Sequence, residues 1–408
     1  MRVWFSLRRT WLSLELPILL AGAGLGLFSR NALILSVMLI PVFWLLHERK
    51  DRRTPLDVPV LIILLAFCIS YWVSPLKDWT AEQIARALSG IGVCYALARQ
   101  KEDLDLRLIL YGIALLSVIL AGVGLFTIQW VPNKIPMLNL LDWIGYLPQL
   151  GEKVHPNVFA GNLALLLPVS AAIFLWGKGR IHLLRAPVAL LTGGLVLAVL
   201  ALTLSRGALL AALTSLILLI ILRWKLPALL GITVLGVIVW LIFPSMHSLI
   251  KPLYWFSSAK ASLDLRQALW QRGLWLIEIF PLSGTGMGTY GLAVNHLFPM
   301  PSPLAPTSHA HNLFIQIALD TGIPGLLAWL ACLWQCTKCA WQAYRTPSTV
   351  PWWIRASGAA GLGAFWVLVF HGITDAVTWG TRPAVLLWAI WGWMILVEKV
   401  RASSLKQA

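Results

Sequence analysis

The feature that most constrains this chain is a succession of long apolar runs separated by short charged loops. A bilayer's hydrocarbon core takes roughly 20 apolar residues per helix, with about 17 to 25 usual. Read with that ruler, the sequence divides into twelve expected spans, near 12–29, 32–47, 56–74, 82–98, 106–129, 157–176, 186–204, 207–222, 226–243, 312–337, 352–373 and 383–398. Only 12% of the residues are charged, against ~25% in an ordinary soluble domain. The surface of such a fold would be too apolar for water. The 23 Trp residues suit two membrane interfaces, where indole prefers to sit. The expectation is an all-α, polytopic membrane protein, a single integral domain over residues 1–408. The first run is not expected to be a cleaved signal peptide, because another apolar run follows it at once.

The formal net charge of +16 could signal nucleic acid through counterion release. The positives instead cluster in short loops between apolar runs, which is a topology signal. With a cytoplasmic N-terminus every inside loop is positive, as with Arg49, Lys50, Arg52 and Arg53, or Lys178, Arg180 and Arg185. Both termini are then cytoplasmic, and no nucleic-acid partner is expected. Two long segments fall outside, at about 130–156 and 244–311. The second is expected to be a periplasmic subregion between spans nine and ten. Within it, KASLDLRQALWQRGLWLIEIF reads as an amphipathic helix with Leu263, Leu265, Leu269, Trp270, Leu274 and Ile277 as its apolar positions, stopped by Pro281. The stretch PLSGTGMGTY then reads as a tight turn. Gly284, Gly286 and Gly288 mimic a nucleotide loop, but no strand precedes them. They are better read as letting the backbone turn. Cys332, Cys336 and Cys339 have the spacing of a radical-SAM cluster motif. They lie inside one apolar run and read as small buried residues.

The residues that can carry chemistry fall on the outer face. Arg206, in LTLSRGALL, sits between two spans with almost no loop. An arginine at membrane depth usually faces a polar cavity or a partner, although snorkelling to the interface is the plainer alternative. Arg266 and Arg272 lie on the outer helix, about 240° apart in azimuth. His155 opens HPNVFAGN, His309 and His311 lie in TSHAHN, and Asp375 follows His371 in HGITDAV. His371 is expected to be a helix cap or a core hydrogen-bonder. The outer loop holds only two isolated carboxylates, Asp264 and Glu278. A metal centre, which needs clustered ligands, is therefore not expected, and neither is any other cofactor. What remains is arginine and histidine. Arginine forks bind phosphate oxygens, and a neutral histidine can accept a proton from an attacking hydroxyl. That pairing suits transfer from a phosphate-linked donor to an alcohol.

His311-Asn312, followed after nine residues by Gly322-Ile323-Pro324-Gly325, resembles the signature of the O-antigen ligase and O-antigen polymerase superfamily. PLSGTGMGTY resembles that family's turn, and LSRGA around Arg206 its membrane-embedded arginine motif. Asp264-Leu265-Arg266 with Trp270 is similar to its outer-helix arginine motif. HPNVFAG and HGITDAV also match, so the resemblance runs in ordered pieces from roughly 150 to 380.

The resemblance implies a GT-C-like glycosyltransferase in the inner (plasma) membrane, inverting and metal-independent. The donor it implies is an undecaprenyl-pyrophosphate-linked glycan. The acceptor would be a hydroxyl of lipid A–core or of another glycan, lipid or protein. His311 would be the base or would position the acceptor, and His309, two residues earlier, competes for that role. Arg206 and Arg266 would bind the pyrophosphate. His155, Asn157, Arg272, His309 and Asn312 would line the site, and Asp375 would orient an arginine or a sugar hydroxyl. Ligase and polymerase both remain open. A bicarbonate-like transporter is the reading from another class; it should show inverted repeats, and none is visible.

Overall fold

The computed structural model describes residues 2–48, 53–102, 105–130, 153–178, 182–225 and 252–407, together with Pro227 and Gly231. The ninth expected span, most of segment 130–156 and the first part of segment 244–311 lie outside the described residues. Among those described, the chain is helical throughout. One isolated parallel bridge joins Ile128 to Val154.

In chain order, α1 (Arg2–Leu25), α2 (Arg30–Leu46), α3 (Asp57–Val73), α4 (Lys77–Ala98) and α5 (Leu106–Thr127) form the N-terminal half. Then follow α6 (Pro156–Ala164) and α7 (Leu167–Trp176), two halves of one span broken ahead of Pro168, and α8 (His182–Leu202) and α9 (Arg206–Trp224). Next come α10 (Pro252–Ile279) and the short α11 (Tyr290–Leu297). The long α12 (Leu313–Tyr344), α13 (Trp352–Gly372) and α14 (Val385–Gln407) complete the bundle.

Among the described residues, six stretches are long and apolar enough to cross a membrane: Leu106–Thr127, Pro156–Trp176, Arg206–Trp224, Leu313–Tyr344, Trp352–Gly372 and Arg382–Gln407. Trp11–Leu25, Arg30–Leu46, Asp57–Val73 and Ala186–Leu202 are shorter apolar helices. The fourth expected span is a helix, α4, but it is not among these and carries Asp78, Glu82 and Arg86 near its start. The large exposed side chains, such as Leu35, Leu61, Trp72, Leu108 and Leu191, fit a bundle solvated by lipid.

Tight packing in the absence of a water-driven hydrophobic effect relies on small residues that let helices approach. At Gly90 and Gly392 that is what happens between α4 and α14. A Cβ at Gly90 would run into Trp388, and one at Gly392 would meet the backbone of Cys94. The core above this contact is aromatic, with Trp391 packed edge-on to Trp388 at 4.8 Å and against Trp329 at 5.6 Å. Cys332, Cys336 and Cys339 are buried in α12, Cys68 is exposed, and all five cysteines are free.

The expected outer helix is present in α10. Of its apolar positions, Leu269 is buried, whereas Leu263, Leu265 and Leu274 are exposed. The packed stripe runs instead through Leu269, Gly273 and Leu276, where Gly273 lies against Ile315 of α12. A glycine lets the two helices close, which a count of apolar residues cannot register. Tyr290 joins this stripe and donates its hydroxyl to the Leu269 carbonyl at 2.7 Å.

The glycine-rich turn docks into a kink. Gly322, with φ of 70°, breaks the helical path of α12 ahead of Pro324. The turn fits that break: Thr285 N–H donates to the Leu319 carbonyl at 2.7 Å, and Ile323 N–H to the Pro281 carbonyl at 2.8 Å. Gly284, Gly286 and Gly288 all have positive φ, as a tight turn requires. A Cβ at Gly284 would collide with the Leu319 carbonyl, and one at Gly322 with the Leu282 carbonyl. Gly284→Ala and Gly322→Ala are each expected to cost stability of order ~1–3 kcal/mol or more, from the disallowed φ plus the clash. Gly112→Ala, a helical position with open space, is expected to be neutral or better. Thermal unfolding of the three variants in detergent checks both expectations.

Candidate active site

The site is assembled where the starts of α6, α9 and α12 meet the end of α13. Asp375 lies in the turn after α13, and its backbone N–H donates to the His371 carbonyl at 2.9 Å. Its carboxylate is 3% exposed and draws groups from distant parts of the chain. Asn157 Nδ2, at the start of α6, donates to Asp375 Oδ2 at 3.1 Å. His311 Nδ1 approaches Oδ1 at 3.3 Å and His309 Nδ1 at 3.8 Å. The two imidazoles lie against each other with centroids 4.1 Å apart and planes tilted by 47°. His311 Nδ1 makes no aligned hydrogen bond, so its link to the carboxylate is an electrostatic contact.

The local backbone explains why both histidines turn inward. Asn312 caps α12, accepting the N–H groups of Phe314 and Ile315 at 3.0 and 3.1 Å. Its amide donates to the Ile373 carbonyl at 3.0 Å, tying the cap to the turn that holds Asp375. His311 itself has φ of 50°, a left-handed conformation that costs a non-glycine residue energy and persists only when its surroundings enforce it. Enforcement comes from Trp270 Nε1, donating to the His311 carbonyl at 3.2 Å, and from Gln316, accepting the Ala310 N–H at 2.8 Å. His309 Nδ1 accepts the His311 N–H at 3.3 Å.

Charge at the site follows from this arrangement. Burial alone would raise the Asp375 carboxyl, but the His311 and His309 imidazoles beside it hold it well below the usual carboxylate range. His309 is pushed down to about 4 by desolvation and by the neighbouring His311, with Asp375 opposing. Arg266 also lowers His309, so its guanidinium lies within electrostatic reach of the cluster. Arg266 Nη1 donates to Ser262 at 2.8 Å, while its buried Nε has no hydrogen-bond partner.

The other residues singled out in the sequence divide clearly. His155 caps α6, accepting the Asn157 N–H at 3.2 Å, and it too acts on His309. Arg206 is exposed at the first position of α9, just after Leu204, another residue with positive φ, at 55°. Its neighbour Gly207 packs on Thr374 and His371, which brings the start of α9 to the Asp375 turn. Arg272 is not drawn into the cluster: it holds the carbonyls of Phe298 and Ala268 at 3.0 and 3.1 Å. His371 is 4% exposed and packed between Gly161 and Gly207, a core role.

The ligand atoms of His309, His311 and Asp375 lie within 4.8 Å of one another, close enough to hold a metal ion. The carboxylate of this set comes from beyond α13, not from segment 244–311, so the acids of that segment do not reveal it. A second residue escaped notice. Asp320 is buried inside α12, accepting from Gly288 N–H, Gln316 and Trp379 at 3.0, 2.8 and 2.9 Å. A carboxylate within a span was the available signal. Asp320 and His309 both line a cavity of about 310 Å³, together with His155, Arg86 and Arg382.

Residues 189–330 match the O-antigen ligase family model. The match covers 142 of the chain's 408 residues, and over that stretch the chain is similar to the O-antigen ligase family. It spans Arg206, Arg266, the glycine turn, His311 and the Gly322–Gly325 kink, and leaves out His155, Asn157 and Asp375. No curated protein matches the chain.

Two titrations here have the same sign. Unfolded, a histidine takes up its proton near 6.5, whereas folded His309 does so only near 4. Between those values the unfolded chain binds the extra proton, so stability falls as pH drops from 6.5 towards 4. Asp375, depressed in the fold, adds a further loss once the pH passes below the ordinary carboxylate range. His309→Gln is expected to flatten the first part of this decline, as read from thermal midpoints measured against pH.

Proposed function

We propose that the chain is an inverting, metal-independent glycosyltransferase of the O-antigen ligase type, working on the periplasmic face of the inner membrane. It moves a glycan from undecaprenyl pyrophosphate to a hydroxyl of lipid A–core or of another glycan, lipid or protein. The observation that carries this reading is the meeting of His311 with buried Asp375, 3.3 Å apart, beside Arg266. A neutral imidazole takes the proton of the acceptor hydroxyl, and the adjacent carboxylate stabilises the imidazolium that forms. The acceptor oxygen attacks the anomeric carbon as the bond to the pyrophosphate oxygen breaks, so a single displacement inverts that centre. Arg266, with its unpartnered Nε, and Arg206 at the start of α9 neutralise the charge on the leaving pyrophosphate. Of the two histidines, His311 is the better base. It stands nearer the carboxylate, and the Nδ1 lone pair of His309 already accepts a backbone N–H.

His311→Ala is expected to lower turnover about 10²- to 10⁴-fold, the usual worth of a general base. Arg206→Ala and Arg266→Ala are expected to cost about 10²- to 10³-fold each, with normal insertion. The assay is release of undecaprenyl pyrophosphate by purified protein given a lipid-linked glycan and candidate acceptors. A product lengthened on the carrier lipid would identify a polymerase instead of a ligase. The close set of His309, His311 and Asp375 favours one second reading, in which a divalent cation assists the leaving group. Loss of turnover in chelator, restored by added metal, would select it. The family match does not favour a transporter.

A further inference from the structure

The opposite end of the same helices carries a second built cavity. From Arg206 at its start to Trp224 at its end, α9 has 19 residues, a rise of roughly 28 Å. At that far end, the termini of α7, α9 and α12 and the start of α13 enclose a cavity of about 520 Å³. It is lined by Lys178, Arg223, Lys225, Arg345 and Arg355, and no carboxylate is among its described lining residues. Like charges gathered with no counterion repel one another, so such a cavity favours an anion.

The frame of this cavity is fixed independently of any ligand. Arg223 Nε donates to the Leu175 carbonyl at 2.9 Å, tying α9 to α7. Tyr344 donates its hydroxyl to the Leu222 carbonyl at 2.7 Å, tying α12 to α9. Arg355 donates to the Thr346 carbonyl. Lys178, Lys225 and Arg345 are exposed at the rim. Trp341 and Tyr344 pack together beside them with centroids 5.6 Å apart, the kind of aromatic pair that marks a membrane interface.

A separate observation says what kind of anion fits. The cationic cavity shares Leu222 and Trp341 in its lining with a neighbouring apolar groove of about 280 Å³. This groove runs between α9, α12 and α13 and is lined by Leu218, Leu333, Leu362, Phe365, Trp366 and Val369. A charged head and an apolar tail are recognised side by side. Basic pockets between helices are a known mode of binding lipid phosphate, and arginine and lysine both bind phosphate oxygens. We propose that this cavity and groove bind a phosphate-bearing lipid, its phosphate among Lys178, Arg223, Lys225 and Arg345 and an acyl chain between α9 and α13. The site is distinct from the one around His311 and does not depend on the glycosyltransferase reading.

The test is native mass spectrometry of the full chain in neutral detergent, with phosphatidylglycerol, phosphatidylcholine and inorganic pyrophosphate as separate probes. Phosphatidylglycerol should be retained in preference to phosphatidylcholine. The triple variant Lys178→Gln, Lys225→Gln, Arg345→Gln should weaken it by ~10-fold or more, while its Arg or Lys counterparts (K178R, K225R, R345K) keep most of the binding. Leu218→Ser should weaken the phospholipid without altering any retention of pyrophosphate. Undiminished phosphatidylglycerol binding by the Gln triple variant, with an unchanged thermal midpoint, would overturn the proposal. Retention of pyrophosphate with no gain from the acyl chains would overturn the lipid assignment and leave a soluble phosphate site.

Discussion

A single buried carboxylate organises the end of the bundle that carries the site. Removing an ionised group from water costs several kcal/mol, and Asp375 is almost wholly covered. It is tolerated because the Ala376 N–H, at 2.9 Å, and the Asn157 amide of α6 donate to it, and the two imidazoles ahead of α12 lie in electrostatic contact with it. Each donor belongs to a segment that could otherwise drift. The segment carrying His309 and His311 is held against the end of α13 by this charge and by the Asn312 link to Ile373. Removing the carboxylate would leave two imidazoles and an amide without their common partner, which is costlier than losing one ordinary contact.

The kink in α12 makes that loop rigid from below. Gly322 opens a gap in the helix into which the glycine turn fits, and Asp320, one turn ahead of Pro324, receives Gly288, Gln316 and Trp379. Gln316 in turn accepts the Ala310 N–H between the two histidines. A continuous chain of hydrogen bonds therefore runs from the glycine turn, through the interior of α12, to the loop that presents His311. The spacing between the His311-Asn312 pair and the Gly322–Gly325 segment thus has a mechanical meaning. One end caps the helix and the other breaks it, and the turn braces both.

Much of this was legible in the residues. The apolar runs, the outer helix over α10, the turn residues of 281–290 and the gathering of His155, Arg206, Arg266, His309, His311 and Asp375 towards one end of the helices follow from period, composition and charge. Other features were not. The azimuth of about 240° between Arg266 and Arg272 was legible, but not that Arg272 would spend its guanidinium on the Phe298 and Ala268 carbonyls. Asp320 passed as part of an apolar run, since one charge hardly alters a hydropathy window. Leu263, Leu265 and Leu274 of α10 point outward, because Gly273 decides which stripe meets α12.

The sequence by itself determined that the described part of this chain is a set of apolar helices, and where polar residues interrupt them. Those are local properties, fixed by length, period and the cost of leaving backbone groups unpaired in lipid. Tertiary structure alone decided which of the candidates meet. Asp375 lies 64 residues beyond His311 in the chain and 3.3 Å from it in space. Asn157 and Asp375 are 218 residues apart and hydrogen-bonded. Nothing in either segment encodes the other's position. Their meeting is set by glycine contacts between helices, and these act only once the helices pack.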